Sequence, residues 1–469
     1  MILISFAIMT KWLPDPAFLT RPAYLSLAEH MARAIEAGTL PPGTRLPTHR
    51  GLAEDLGLSV QTVSRAYEEL IRRGLVSGEI GRGSFVMRPG HEVQQPYLPE
   101  RSGELIDLSI LKPVSEAMHL EELRAAFGWL AENLSVAAAL SFRPNTVMPP
   151  HRAAAADWLA REGVEVPAAN IAITNGATGA ITAALMGVAP VGSVVAAEAL
   201  THHTLMPLCT YLGLHLEGVE VDAQGMVPRA LDDLCRRNAP RAVFLQPNVI
   251  NPLAILMPED RRRELVAVAR RHDIAIIEND ILGSMVEHRP PPLAALAPER
   301  VLYIHGFTKI TVPGLRVAFL AAPDRHATAV ANRHLVSHWM ASAPMVEVLS
   351  HWLADGTARR LIDWQRRAIG ERHDVAQAAL SGLDYHAHPQ SLHLWLPLPE
   401  GVTEAAFVAQ CRLRGVAVAG GSAFHAEDRQ IRPAVRIAVG STRIDDLRRG
   451  LGLIRSMLVE SPEELLAPF

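Results

Sequence analysis

Apolar residues recur with helical spacing at Leu25, Leu27, Ala28, Met31, Ala32 and Ile35, which predicts an amphipathic helix ended by Gly38. The turn Leu40-Pro41-Pro42-Gly43 follows, then a second helical pattern from Thr48 to Leu56 stopped by Gly57. Ser59 is placed to cap a third helix, Val60 to Arg73, which Gly74 closes. Two short strand patterns, Leu75-Val76-Ser77 and Ser84-Phe85-Val86, flank the glycine-rich stretch Gly78 to Gly83 and predict a hairpin. The order is helix, tight joint, helix and wing.

The pattern then breaks. Arg88 to Gly103 holds Pro89, Gly90, Pro96 and Pro99 among polar residues without periodicity, as a linker would. Beyond it, short apolar runs alternate with helical segments: Ile171-Ala172-Ile173, Val194-Val195-Ala196, Ala242 to Leu245, Ile274 to Ile277 and Val301 to Ile304. That alternation predicts an α/β domain around a largely parallel sheet. The expected division is an N-terminal extension over 1–20, a first domain over 21–88, a linker over 89–104 and a second domain over 105–469.

Composition narrows the function. At 469 residues the chain exceeds what a single core supports, and 49% apolar with 20% charged residues excludes a disordered or collagen-like protein. The formal net charge of −4 means that any contact with nucleic acid must come from a local patch. Three widely spaced cysteines, Cys209, Cys235 and Cys411, argue against a disulfide framework or a cysteine metal cluster and favour the cytoplasm. No apolar run is long enough to span a bilayer, and Ile2 to Met9 lacks the basic start of a signal peptide, so no membrane association is expected.

The basic residues are unevenly chosen. Only Lys11, Lys112 and Lys309 are lysines among 45 lysines and arginines. Arginine replaces lysine at most surfaces but stays protonated and cannot form a Schiff base, so a retained lysine needs a reason.

In the first domain, Arg45, His49 and Arg50 precede or begin the second helix, while Ser59, Gln61, Thr62, Ser64 and Arg65 lie on the first turns of the third. Short polar side chains and arginines there suit base edges and phosphates in a major groove, and Arg82 at the wing tip suits the backbone or minor groove. The run Leu40-Pro-Pro-Gly-Thr-Arg-Leu-Pro-Thr-His-Arg, then Leu52-Ala53, Leu58-Ser59, Thr62-Val63, Ala66-Tyr67 and Gly81-Arg-Gly-Ser-Phe-Val resembles the winged-helix domain of GntR-type transcription regulators. Double-stranded operator DNA is the partner this implies. Val60 departs from the basic residue common in that family, so the operator does not carry over.

In the second domain, Gly306-Phe307-Thr308-Lys309 follows the Val301 to Ile304 strand, with Pro313-Gly314-Leu315-Arg316 shortly after. Ile274 to Asp280 is a buried-strand pattern ending in acids, where Asp280 is preferred over Glu278 as a charge partner for a pyridinium. Thr174-Asn175-Gly176-Ala177-Thr178-Gly179 sits between a strand and a helix predicted over Ala180 to Leu185, offering amides to a phosphate. Gln246 to Pro252 supplies Asn251, and Arg436 in the strand Val435 to Val439 can receive a carboxylate. His202 and His203 read as neighbouring strand residues facing opposite sides, so no metal site is expected.

From about Leu105 onward this constellation resembles an α/β fold-type I, pyridoxal 5'-phosphate (PLP) dependent aminotransferase domain. Its fusion to an α+β winged helix-turn-helix resembles the MocR subgroup of the GntR family. The resemblance implies that Lys309 forms the Schiff base, Asp280 faces the pyridine nitrogen and Asn251 meets the ring O3'. Gly176, Ala177, Thr178, Thr308 and Arg316 would hold the phosphate, and Arg436 an effector carboxylate. Four departures stand out: Leu282 replaces a tyrosine that donates to O3', His202 a ring-stacking tyrosine, Gly306 a phosphate-binding serine, and Phe142 a tyrosine offered to a neighbouring subunit.

The implied function is a homodimeric regulator that senses an amine or amino-acid-like effector through an external aldimine. Two alternatives stay open: a working aminotransferase carrying a DNA-binding domain, and a regulator that senses PLP itself.

Overall fold

The computed structural model describes residue 13 and residues 22–36, 39–40, 44–72, 75–79, 83–86, 105–140, 149–426 and 432–459. The chain divides into two compact units, Met1–Arg101 and Ser102–Phe469.

In the first unit, helices Ala23–Glu36, His49–Leu56 and Val60–Arg72 precede strands Val76–Glu79 and Gly83–Val86. The strands pair antiparallel with Val76 opposite Val86. Thr48 caps the second helix from outside it, accepting from the Gly51 amide at 3.2 Å. The joint works because Gly57 takes φ +63, a left-handed conformation open to glycine, and donates back to Ala53 and Glu54. Ser59 then caps the third helix by accepting from the Thr62 amide at 3.0 Å. Leu27, Met31, Leu52, Val63, Tyr67 and Leu70 are buried between the helices. At about 1.5–3 kcal/mol for a fully buried large apolar side chain, this core and not the caps dominates the unit's stability.

The second unit is built on a seven-stranded sheet. Its strand order is Ile171–Thr174, Ala318–Ala321, Val301–Gly306, Ala275–Asn279, Ala242–Leu245, Val194–Glu198 and His215–Val219. Ala318–Ala321 runs antiparallel to both neighbours and every other pairing is parallel. Strand residues alternate between two cores. Ala275, Ile277, Leu302 and Ile304 pack with helices Gly176–Val188, Leu205–Tyr211 and Asp324–His338. Ile276, Val301 and Tyr303 pack with the helices of the other face, among them Pro149–Arg161, Glu259–Arg271 and Thr357–Ala379.

A smaller antiparallel sheet follows in the order His386–Ala387, His393–Pro397, Ala434–Ala438, Ala419–Gly420. Near the start of the unit, Ile106–Asp107 pairs with Val416–Ala417. Open parallel sheets collect ligands at the carboxyl ends of their strands, and here those ends are Val219, Glu198, Leu245, Asn279 and Gly306. No helix among the described residues is long and apolar enough to cross a membrane.

Candidate functional site

Lys309 leaves the sheet just after the Val301–Gly306 strand, partly buried, and its ammonium donates to the Leu111 carbonyl. Burial, then the charges of Arg436, Arg316 and Lys112, push its pKa down to about 8. About a tenth of the amine is therefore uncharged at pH 7, a few hundred-fold above an ordinary lysine.

The glycine loop lies where the sequence places it, but its helix starts earlier than expected, at Gly176 instead of Ala180. Gly176 has φ +76, and a Cβ there would come within 3.1 Å of the Arg316 guanidinium. Glycine thus satisfies both the backbone and the close approach of Arg316. Ala177 is half-buried and Thr178 exposed on the same first turn. Thr308 keeps a buried hydroxyl without a hydrogen-bond partner. A cationic guanidinium, free helix amides and an orphaned hydroxyl make a donor set suited to a phosphate. Gly306 faces this helix as well: a Cβ on it would meet Ile281 Cγ2 at 3.1 Å and Ala177 Cβ at 3.7 Å, so a serine would be crowded there.

Arg436 is buried in the small sheet, donating to Asn251 Oδ1 at 3.0 Å and to the Ser109 carbonyl at 2.5 Å, with its guanidinium 4.8 Å from the Phe424 ring centroid. With its oxygen engaged, Asn251 has its amide nitrogen left as the donor toward a ligand.

The histidine pair corrects the strand reading. His202 and His203 lie in a loop and their rings stack with centroids 4.7 Å apart, while His202 Nδ1 pairs with Thr204 Oγ1 at 2.7 Å. Burial, then the neighbouring His203 and the charges of Lys309 and Arg436, depress His202; burial and the charges of Arg436 and Lys309 bring His203 down to about 4, so both rings are neutral at pH 7. A neutral ring suits the stacking position given to His202.

Asp280 is the principal correction. Its carboxylate accepts from Asn248 Nδ2 at 2.7 Å, from the Tyr303 hydroxyl at 2.7 Å and from Arg289, which also pairs with Glu162 at 2.9 Å. These charges hold Asp280 below its ordinary pKa against the cost of burial. The cause is strand parity: residue 280 shares a face with Ile276, opposite the helix Gly176–Val188. Facing that helix is Asn279, 2% exposed, with neither polar side-chain atom hydrogen-bonded. Leu282 is buried in the core and offers no hydroxyl. Phe142 falls outside the described residues.

In the first unit, Arg45, Arg50 and Gln61 are exposed. Other expected DNA contacts already have partners: Ser59 Oγ and Thr62 Oγ1 lie 2.8 Å apart, and Ser64 Oγ lies 3.1 Å from His49 Nδ1, tying the second helix to the third. Arg65 stacks 4.1 Å from the Tyr24 ring centroid. Arg82 lies outside the described residues.

The fold and the clustered groups define a fold-type I aminotransferase-like domain behind a helix-turn-helix module. The aminotransferase class I and II family model matches residues 119–452, and the gntR family of bacterial regulatory proteins matches residues 23–86. The chain belongs to the aminotransferase class I and II family, and with its GntR domain it falls in the MocR subgroup. It is 24% identical over 462 residues to the HTH-type transcriptional regulator YdeF of Bacillus subtilis, covering 96% of this chain and 97% of that protein. It is 28% identical over 367 residues to the pyridoxine biosynthesis regulator PdxR of Corynebacterium glutamicum, covering 76% and 78%. Among solved structures, a Pyrococcus horikoshii kynurenine aminotransferase superposes with TM-score 0.70 at 21% identity, covering 78% of this chain and 92% of that one, a likeness of fold.

Proposed function

We propose that this protein is a DNA-binding transcription regulator whose second unit binds PLP at Lys309 and responds to a primary amine or amino-acid-like effector. The observation that carries the reading is the Lys309 amine, pushed down to about 8 beside the orphaned Thr308 hydroxyl and the Gly176–Arg316 cradle. When bound, PLP supplies an aldehyde that amines capture reversibly.

The chain's residues divide the remaining work. Arg316, Thr308 and the first amides of the Gly176 helix would hold the phosphate, the neutral His202 ring would stack on the cofactor, and Asn251 would donate to O3'. Arg436, braced by Asn251 and the Ser109 carbonyl, orients an effector carboxylate. Arg45, Arg50 and Gln61 provide the exposed DNA contacts. The exposed apolar residues Leu134, Val136 and Leu140 suit a subunit contact, and a homodimer would match a repeated or palindromic operator. An effector moves the DNA equilibrium only by its difference in affinity for two states, so amine capture must favour one of them.

Borohydride treatment of the PLP-loaded full chain, with mass spectrometry of the Lys309 peptide, tests the assignment. A reduced pyridoxyl mass on Lys309 is expected. Lys309→Ala should lose that adduct and any amine response in an operator gel shift while keeping basal DNA binding; an adduct at another residue, or none, rejects the reading.

A further inference from the structure

Asn279 closes the Ala275–Asn279 strand at the carboxyl edge of the sheet, where the ligand cleft opens. It is 2% exposed, and both its Oδ1 and Nδ2 lack partners. Leaving a buried amide unsatisfied costs about 1–3 kcal/mol for each group, so an orphaned carboxamide in an otherwise packed strand points to a ligand atom. Its surroundings say which one. It stands beside Ile304 in the neighbouring strand, two residues before Gly306, on the face of the helix whose first residues and Arg316 form the phosphate cradle.

The nearby acids do not compete for that place. Asp280 is neutralised by Arg289 on the opposite face, and Glu278 shares that opposite face, accepting from the Leu293 and Ala294 amides at 3.0 and 2.8 Å. Glu198 has the parity of Ala196, again the opposite face, and accepts from the Gln246 amide at 2.8 Å. Lys309 feels the charges of Arg436, Arg316 and Lys112, and the His202 and His203 rings are neutral.

We infer that Asn279 meets the pyridine nitrogen of PLP, donating its Nδ2–H, and that this nitrogen stays unprotonated in the bound cofactor. The inference rests on the proposed PLP site and gives it a direction. A carboxylate would favour a pyridinium by charge pairing; a neutral amide does not. An unprotonated ring accepts the electrons of a breaking Cα–H bond poorly. The site then holds an amine without converting it, as a sensor requires and a transaminase does not.

The test uses the full chain loaded with PLP carrying ¹⁵N in the ring. The wild-type resonance is expected in the region of a hydrogen-bonded neutral pyridine, and in Asn279→Asp it should move to the pyridinium region. A wild-type pyridinium signal overturns the inference whether or not the variant folds, and so does an Asn279→Asp resonance that stays at the wild-type position. The same samples are reduced with borohydride: absence of a pyridoxyl mass on Lys309 marks failure of the PLP reading and removes this inference with it, whereas a trapped adduct with a pyridinium signal fails the Asn279 assignment alone.

Discussion

A lysine ammonium ordinarily loses its proton near pH 10.4, but burial and three neighbouring cations bring Lys309 down to about 8. Only the free amine attacks an aldehyde, so the rate of PLP capture should rise as pH increases and level off above about 8. Stopped-flow absorbance across pH 6 to 10 would show it, and a rate still climbing steeply at pH 10 would contradict the cationic setting. Asp280 shows the opposite balance, a buried carboxylate kept charged by Arg289, Tyr303 and Asn248. Gly283 makes room for that cluster, since a Cβ at this position would fall on the Asp280 carboxylate and Arg289.

Among the elements, the helix Val60–Arg72, proposed to read DNA, has few free side chains. Because Ser59, Thr62, Ser64 and Arg65 are engaged within the unit, Arg50 and Gln61 should account for different parts of operator binding. Arg50→Ala should lower the slope of log affinity against log salt by about 1, as loss of one phosphate contact does. Gln61→Ala should leave that slope unchanged and weaken operator binding relative to random DNA; fluorescence anisotropy at several salt concentrations separates the two. The helices of this unit and the strands of the sheet were legible because capping residues, glycine stops and apolar runs are local signals. The side that each strand residue faces was not. Ala275–Asn279 is buried on both faces, so hydrophobicity does not alternate along it, and the choice lay between the two acids, Glu278 and Asp280, with Asn279 between them not considered. Arg289, Tyr303 and Asn248 carry no motif, and only the folded chain brings them to Asp280. The early start of the Gly176 helix was hidden because glycine and threonine look like loop residues.

For the whole molecule, buried histidines set an acid limit. His203 and His334 are depressed to about 4 and His393 to about 3, mainly by burial. A histidine whose proton affinity falls on folding leaves the unfolded state binding more protons between its folded pKa and about 6.5, so stability is present above that window and lost as pH falls through it. Each tenfold difference in proton affinity corresponds to about 1.4 kcal/mol. Denaturant midpoints should therefore drop from pH 7 to pH 4, and His393→Gln should flatten the fall; a midpoint indifferent to pH would count against neutral buried rings. The strip from Ile106 to Pro113 has a wider consequence. The Leu111 carbonyl holds the Lys309 ammonium and the Ser109 carbonyl holds Arg436, so two cationic side chains of the cleft are moored to one short strip of main chain. A Lys309 amine bonded to an aldehyde would leave the Leu111 carbonyl in search of another donor, so this strip of main chain would register the state of the lysine.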